Sequence, residues 1–344
     1  MNEDNQSTTV LVTGASGYIA QHCILQLLQQ GYRVRGTLRS PEREENLRAT
    51  LARHVDAGDR LEFVTANLLS DEGWTQAVAG CRFVLHVASP TTDPKDEDEA
   101  IIPARDGTLR VLQAAADAGV RRVVLTSSVA AISGGHKPDD RIFTEDDWTN
   151  TNAKIGAYLK SKTVAERAAW DFVEGLPAGT NLELVAINPS YVLGPQLDEH
   201  SPPPVRIVTR LMRGDVPGCA RIGFNLVDVR DVVDAHLLAM TSPQAAGKRF
   251  LCYAEHYWFQ EIALVLKEHF ADRGYRIPTR SIPDFVVRVY ALFDDDARFI
   301  APALGHRRRL SNERLKTTLN WQPRPVEQAI VDTAESLIEF GLVD

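Results

Sequence analysis

Tyr158 and Lys162 stand four residues apart in Tyr158-Leu-Lys-Ser-Lys162. On a helix that spacing places both on one face, roughly 6 Å apart along the axis. A phenol titrates near ~10 and is a weak acid at neutral pH. A neighbouring ammonium favours the phenolate, which brings the proton closer to working pH, as general acid catalysis requires. The pattern alone is common and usually structural, so its company decides its meaning. That company is Thr126-Ser127-Ser128, which ends an expected strand. Ligands of open α/β sheets bind off the C-terminal ends of strands. A hydroxyl there can hydrogen-bond a substrate oxygen as charge develops on it. Ser128 is the first choice and Ser127 the fallback; the blander alternative is a serine that caps a turn.

A second constellation lies near the N-terminus, in Thr13-Gly14-Ala15-Ser16-Gly17-Tyr18-Ile19-Ala20. Gly14 permits a tight turn, Gly17 lets the backbone approach a pyrophosphate, and the small Ala20 lets helix and strand pack closely. Free N–H groups at the helix start then favour phosphate charge. The spacing G-x-x-G-x-x-A departs from G-x-G-x-x-G, so the flanking strand and helix carry the assignment. The second strand ends Thr37-Leu38-Arg39-Ser40. An acidic residue there would grip the 2′-hydroxyl of NAD, whereas Arg39 suits the 2′-phosphate of NADP(H), with Arg43 a second candidate.

The elements that must position these groups alternate. Strands are expected at 9–12, 33–38, 61–65, 83–87, 122–126 and 182–187. Helices are expected at 18–30, 71–78, 103–118 and 155–174, several closed by glycine. Such alternation predicts an α/β fold, a Rossmann-type doubly wound parallel sheet with helices on both faces. The rhythm breaks after Asn188-Pro189, and 194–204 reads as loop. Pattern resumes at 225–240 and 249–253; beyond 256, helical stretches are separated by Pro278, Pro283, Pro302 and Pro323. Residues 1–190 and 225–255 are therefore expected to form the dinucleotide-binding domain. Residues 191–224 and 256–344 are expected to form a smaller, discontinuous C-terminal lobe for the substrate.

The 344 residues are 44% hydrophobic and 24% charged, ordinary for a globular chain. Only the polar Met1 to Thr8 reads as a candidate for disorder. A formal net charge of -8 argues against nucleic acid, and the run Arg307-Arg308-Arg309 reads as a solvated face. Cys23, Cys81, Cys219 and Cys252 form no C-x-x-C pair and read as buried thiols in a reducing, cytoplasmic setting. No apolar run approaches the roughly 20 residues that span a bilayer. No histidine pair has metal-ligand spacing, so no metal is expected. His86 reads as a hydrogen-bonded core residue, Asp228 and Asp231 as supports of a helix start, and the acidic stretch 93–99 as solvated surface. Trp148, Tyr191 and Phe224 could line an apolar pocket or belong to the core.

With these motifs together, the chain resembles an extended short-chain dehydrogenase/reductase of the epimerase/dehydratase superfamily. Within it, the resemblance is to the dihydroflavonol 4-reductase, cinnamoyl-CoA reductase and aldehyde/ketone reductase group. It rests on Val12-Thr-Gly-Ala-Ser-Gly-Tyr-Ile19, Val34-Arg-Gly-Thr-Leu-Arg39, His86-Val-Ala-Ser-Pro90, Thr126-Ser-Ser128, Tyr158-Leu-Lys-Ser-Lys-Thr-Val-Ala-Glu166 and Asn188-Pro-Ser-Tyr-Val-Leu-Gly-Pro195. These cover about the first 195 residues. The resemblance implies Ser128, Tyr158 and Lys162 as the catalytic triad, with Lys162 also on the nicotinamide ribose. It implies cofactor contacts from Gly14, Ser16, Gly17, Tyr18 and Ile19, and from Arg39 on the 2′-phosphate. Asn67 and Leu68 stand where the family's Asp-Leu touches adenine. Val87, Ala88 and Ser89 match the strand end lining the cofactor, and Pro189 and Val192 the segment near the nicotinamide. Ala20 replaces the more usual third glycine.

The expectation is an NADPH-dependent oxidoreductase that passes hydride to an aldehyde or ketone, with Tyr158 as proton donor. One rival is a nucleotide-sugar epimerase or dehydratase recycling tightly bound NAD; Arg39 and the absence of Asp-Glu just after Ser128 disfavour it. The other is a non-enzymatic dinucleotide sensor, which would have no use for the Tyr/Lys pair. The sequence leaves open which carbonyl compound is the substrate and whether the protein is a monomer or a homodimer.

Overall fold

The computed structural model describes residues 3–89, 97–137, 140–293 and 301–343. Seven strands form its central sheet: β1 (Thr9–Val12), β2 (Arg33–Leu38), β3 (Leu61–Thr65), β4 (Phe83–His86), β5 (Arg122–Thr126), β6 (Glu183–Pro189) and β7 (Arg249–Cys252). They run in the order β7-β6-β5-β4-β1-β2-β3, and every pairing is parallel. The expected doubly wound sheet is therefore present. The order reverses between β1 and β4, which opens a crevice at their C-terminal ends.

Both faces of the sheet are apolar, because a strand alternates its side chains between them. Val10 and Val12 of β1 join one core while Leu11 joins the other. Phe83 and Leu85 are likewise split from Val84, and Val124 from Val123 and Leu125. Helices α1 (Tyr18–Gln29) and α4 (Val229–Thr241) cover the first face through Ile24, Leu27, Val232 and Val233. Helices α2 (Glu97–Asp117) and α3 (Ala157–Glu174) cover the second through Val111, Leu112, Ala115 and Ala169.

A separate apolar cluster draws on the helices Arg206–Met212, Phe259–Phe270 and Val326–Glu339, with Leu193 and Leu226. Beside it a small sheet pairs Gly223–Asp228 with Tyr191–Leu193 in parallel and with Glu255–Trp258 antiparallel.

Several boundaries differ from the sequence expectation for identifiable reasons. The helix expected over 71–78 spans only Trp74–Val78, because Gly73 adopts φ 84 before it. A side chain there would meet the Thr65 carbonyl oxygen at 2.2 Å. The helix expected from Pro103 begins at Glu97 and carries Pro103 inside it; acidic Glu97, Asp98 and Glu99 suit its positive N-terminal end. Residues 97–99 of the acidic stretch are thus helical, and 93–96, like Pro90, lie outside the described residues. Helix α3 starts at Ala157 after an extended Gly156, so Tyr158 occupies its first turn. Strand β6 continues through Pro189, and Tyr191–Leu193, just after the point where the sequence rhythm breaks, is a strand.

Of the stretch 1–8 read as a candidate for disorder, residues 3–8 are described and have regular contacts, while 1 and 2 lie outside the described residues. Glu3–Gln6 forms a helical turn, Asn5 donates to the Gln30 carbonyl at 3.0 Å, and Thr8 is buried. The basic run is partly structural: Arg309–Leu310 pairs with Ile142–Phe143, and Arg308 lies 5.0 Å from the Phe143 ring. All four cysteines are buried and free. Among the described residues, no helix is long and apolar enough to cross a membrane.

Candidate active site

The sheet brings the candidate residues to one edge. Thr13 and Gly14 follow β1, Arg39 follows β2, Asn67 and Leu68 lie just past β3, and Val87 to Ser89 follow β4. Ser127 and Ser128 follow β5, and Pro189 closes β6. All are C-terminal ends of parallel strands, the edge where dinucleotides bind in this fold.

The first turn is built tightly. The Gly14 N–H donates to Thr37 Oγ1 at 2.9 Å and the Ala15 N–H to the Thr37 carbonyl at 2.9 Å. Gly14 sits at φ +66, and a Cβ on it would lie 2.9 Å from the Ala88 Cβ. A Cβ on Gly17 would meet only the Gly14 carbonyl, so its outer face is open to an approaching group. The first helical bond runs from Gln21 N to the Gly17 carbonyl. The N–H groups of Tyr18, Ile19 and Ala20 therefore precede it, and helix starts of this kind favour phosphate. Gly14→Ala is expected to cost about 1–3 kcal/mol through strain and the Ala88 clash. A thermal melt with and without dinucleotide checks it; unchanged melting and affinity would contradict the tight-turn account.

The Tyr18 side chain is engaged elsewhere. Its hydroxyl donates to the Gly194 carbonyl at 2.8 Å, and its ring stands edge-on to His22. Burial, then the Asp228 charge, holds that phenol well above its ordinary pKa. Any cofactor contact from Tyr18 is thus left to its backbone. Arg39 and Arg43 are exposed, and no described hydrogen bond uses Arg39. Asn67 shapes its turn by accepting from the Leu69 N–H through Oδ1 at 3.1 Å, and its carbonyl takes the Trp74 indole N–H at 3.1 Å. Pro189 and Val192 are buried.

His86 is the core histidine expected. Its Nδ1 pairs with Thr13 Oγ1 at 2.9 Å, and the same hydroxyl oxygen accepts the Ala88 N–H at 3.0 Å. This links the ends of β1 and β4. Burial, then the Lys162 charge, pushes its pKa down to about 3, so the ring is neutral. Its Nε2 is buried without a hydrogen-bond partner among the described residues.

Tyr158 is 49% exposed in the first turn of α3, and the Lys162 ammonium lies 6.0 Å from its ring centroid. The neighbouring Lys160 points away and pairs with Glu97 at 2.6 Å. The two serines separate clearly. Ser127 Oγ donates to the buried Glu166 carboxylate at 2.5 Å and is committed to the core. Ser128 has extended backbone, φ -163 and ψ 154, and its hydroxyl oxygen accepts the Ala130 N–H at 3.1 Å. It is therefore a cap, as the blander reading held, yet its own proton stays available for donation.

Asp228 is a helix cap, accepting the Arg230 N–H at 2.8 Å. Asp231 does not cap but clamps the Arg324 side chain and backbone N–H. Tyr191 and Phe224 pack with their rings tilted by 59°, 5.1 Å between centroids, at the rim of the smaller core. Trp148 lies under two guanidiniums, Arg249 at 3.7 Å and Arg167 at 4.9 Å. Sequence reasoning missed Glu166, Asn188 and Arg249 as a set. The only local signal was Glu166, which continues the Tyr158–Lys162 spacing by one more turn.

Comparison with known proteins fits this geometry. The model of the NAD dependent epimerase/dehydratase family matches residues 10–252. The chain belongs to that family. Within it, the chain falls in the reductase group. It is 35% identical over 350 residues to cinnamoyl-CoA reductase CAD2 of Medicago truncatula, covering 98% of each chain. It is 34% identical over 293 residues to a putative anthocyanidin reductase of Ginkgo biloba, covering 80% of this chain and 83% of that one. Among solved structures, yeast methylglyoxal/isovaleraldehyde reductase Gre2 complexed with NADPH superposes with a TM-score of 0.81 at 29% identity, over 97% of this chain and 99% of that one.

Proposed function

We propose that this family member is an NADPH-dependent carbonyl reductase acting on an aldehyde or ketone. The observation that carries the reading is the pairing of Tyr158 with Lys162 on an exposed first turn, on the sheet edge where the glycine turn opens. The relatives' names, reductases of cinnamoyl-CoA and of small aldehydes, support it.

The residues fit a dinucleotide: the Gly14–Gly17 turn has an open face, and Arg39 is an exposed cation where an acid would serve NAD. Gly14, Ser16, Gly17, Tyr18 and Ile19 would hold the pyrophosphate, Arg39 the 2′-phosphate, and Asn67 with Leu68 the adenine. Val87, Ala88, Ser89, Pro189 and Val192 would line the nicotinamide end. When bound, the cofactor supplies a hydride to the carbonyl carbon. Tyr158 gives its proton to the carbonyl oxygen, and Ser128 donates a hydrogen bond to that oxygen as charge builds on it. Lys162 holds positive charge beside the phenol and reaches the ribose. The described residues of 191–224 and 256–343 would supply the walls around the substrate.

An oxidation assay with NADPH and NADH across aromatic, aliphatic and keto-ester carbonyls tests the reading. Stoichiometric loss of NADPH is expected; turnover with no net loss points to an epimerase-type cycle instead. Arg39→Ala is expected to raise the KM for NADPH about 10- to 100-fold, the effect of losing a charge-assisted contact worth roughly 1.5–3 kcal/mol. The KM for NADH should stay close to wild type. An unaltered NADPH/NADH preference would remove Arg39 from the site.

A further inference from the structure

The helix that carries Tyr158 and Lys162 carries a third charged group on the same line, Glu166, one turn further on. Its side chain is fully buried, and its carboxylate collects donors from several elements. Oε2 accepts from Ser127 Oγ at 2.5 Å and from the Asn188 amide at 2.7 Å. Oε1 accepts from Arg249 Nε at 2.5 Å and from the Trp170 indole at 3.3 Å. The same Asn188 amide nitrogen reaches the Ser128 carbonyl at 3.1 Å, one hydrogen for each acceptor. Arg249 is held in turn by the carbonyls of Glu145 and Asp147, both at 2.8 Å, and by the Trp148 ring.

A buried ion pair is weak evidence for stability by itself, because desolvation opposes it. What this one does is geometric. Ser128 has extended backbone, and the two neighbouring hydroxyls have different partners, Glu166 for Ser127 and the Ala130 N–H for Ser128. Pinning Ser127 to Glu166, and the Ser128 carbonyl to Asn188, fixes the backbone from which Ser128 Oγ projects, and the Ala130 N–H holds that oxygen at 3.1 Å. Glu166 belongs to the helix that presents Tyr158, so one carboxylate ties the Ser127-Ser128 segment to that helix.

We propose that Glu166, neutralised by Arg249, is a positioning residue that sets Ser128 against Tyr158 so that both address the same carbonyl oxygen. The proposal rests on the reading of Tyr158 and Ser128 given above. Errors near 1 Å in such a pair lower turnover by about 100-fold. The effect should therefore fall on kcat, with substrate KM and cofactor affinity little changed.

The test compares Ser127→Ala, Glu166→Gln and Tyr158→Phe in the full chain. Melting temperature, NADPH affinity by titration, kcat and KM on one accepted aldehyde, and hydrogen exchange of the segment 127–131 are measured. Ser127→Ala removes one hydroxyl and keeps the ion pair, so it decides the matter if Glu166→Gln does not fold. Expected for Ser127→Ala is a folded protein with NADPH affinity within about twofold of wild type. Its kcat should fall roughly 10- to 100-fold, its KM hold within about threefold, and exchange at 127–131 quicken. Glu166→Gln, where folded, should match or exceed that loss. Wild-type kcat in a folded Ser127→Ala overturns the proposal. So does a loss that tracks weakened NADPH binding or melting, which marks a merely structural role. Full activity in Tyr158→Phe overturns the underlying reading of the site; an inactive Tyr158→Phe beside a fully active Ser127→Ala overturns the positioning role alone.

Discussion

Tyr158→Phe is expected to lower kcat by about 100- to 10,000-fold, the range for removing a positioned general acid, while NADPH still binds. The substitution deletes one oxygen and leaves a ring of nearly the same shape. Tyr158 is 49% exposed, and no described hydrogen bond uses its hydroxyl, so the fold loses little. Lys162 keeps its place 6.0 Å from the ring centroid. The loss is thus chemical rather than architectural, and the melting temperature should move by no more than a surface change would. Steady-state kinetics paired with NADPH titration checks both halves. Near-normal turnover would sink the assignment of the proton donor, and lost NADPH affinity would make the tyrosine a binding residue instead.

Acid should destabilise this protein through its buried histidines. His22, His86 and His236 are buried, at 6%, 1% and 0% exposure. Burial pushes their pKa values down to about 4, about 3 and about 4. In the unfolded chain each returns to about 6.5. The unfolded state therefore takes up protons first as pH falls. The stability present above about pH 6.5 is lost progressively toward the folded values near 4 and 3. At pH 5 each histidine removes about 2 kcal/mol, about 6 kcal/mol together. Asp231 works in the opposite sense. Burial raises its carboxyl to about 6, so the folded state gains there as pH falls, returning about 1 kcal/mol at pH 5. The net loss is comparable to the whole stability of many domains, about 5–15 kcal/mol. Urea midpoints at pH 7.5 and pH 5 should differ strongly, and His236→Gln should flatten the net dependence by about two fifths. Equal midpoints would show that these rings are not held neutral.

What was legible in the sequence was local. The alternation of strand and helix follows from short-range apolar periodicity, and it yielded the parallel sheet and its C-terminal edge. The glycine turn and Arg39 were readable because each is one stretch of chain just past a strand. Tyr158 and Lys162 were readable because the helical repeat puts residues four apart on one face, wherever the helix ends up. Their shared face is visible before any folding.

Tertiary structure decided what depends on residues far apart in the chain. The sequence ranked Ser128 ahead of Ser127 but kept both; the hydrogen bond that commits Ser127 to Glu166 on α3 leaves Ser128 as the available hydroxyl. The long-range partners of Glu166 are Ser127, Asn188 and Arg249, on separate strands or strand ends, and they meet through the β5–β6–β7 register. Tyr18 lies inside the cofactor motif, yet its hydroxyl is spent on Gly194, 176 residues away. Trp148, ambiguous between core and pocket, became a platform for two guanidiniums. The physical reason is the same each time. Periodicity and turn chemistry act over a few residues, whereas hydrogen-bond partners for a buried polar group are chosen by which strand ends the sheet brings together.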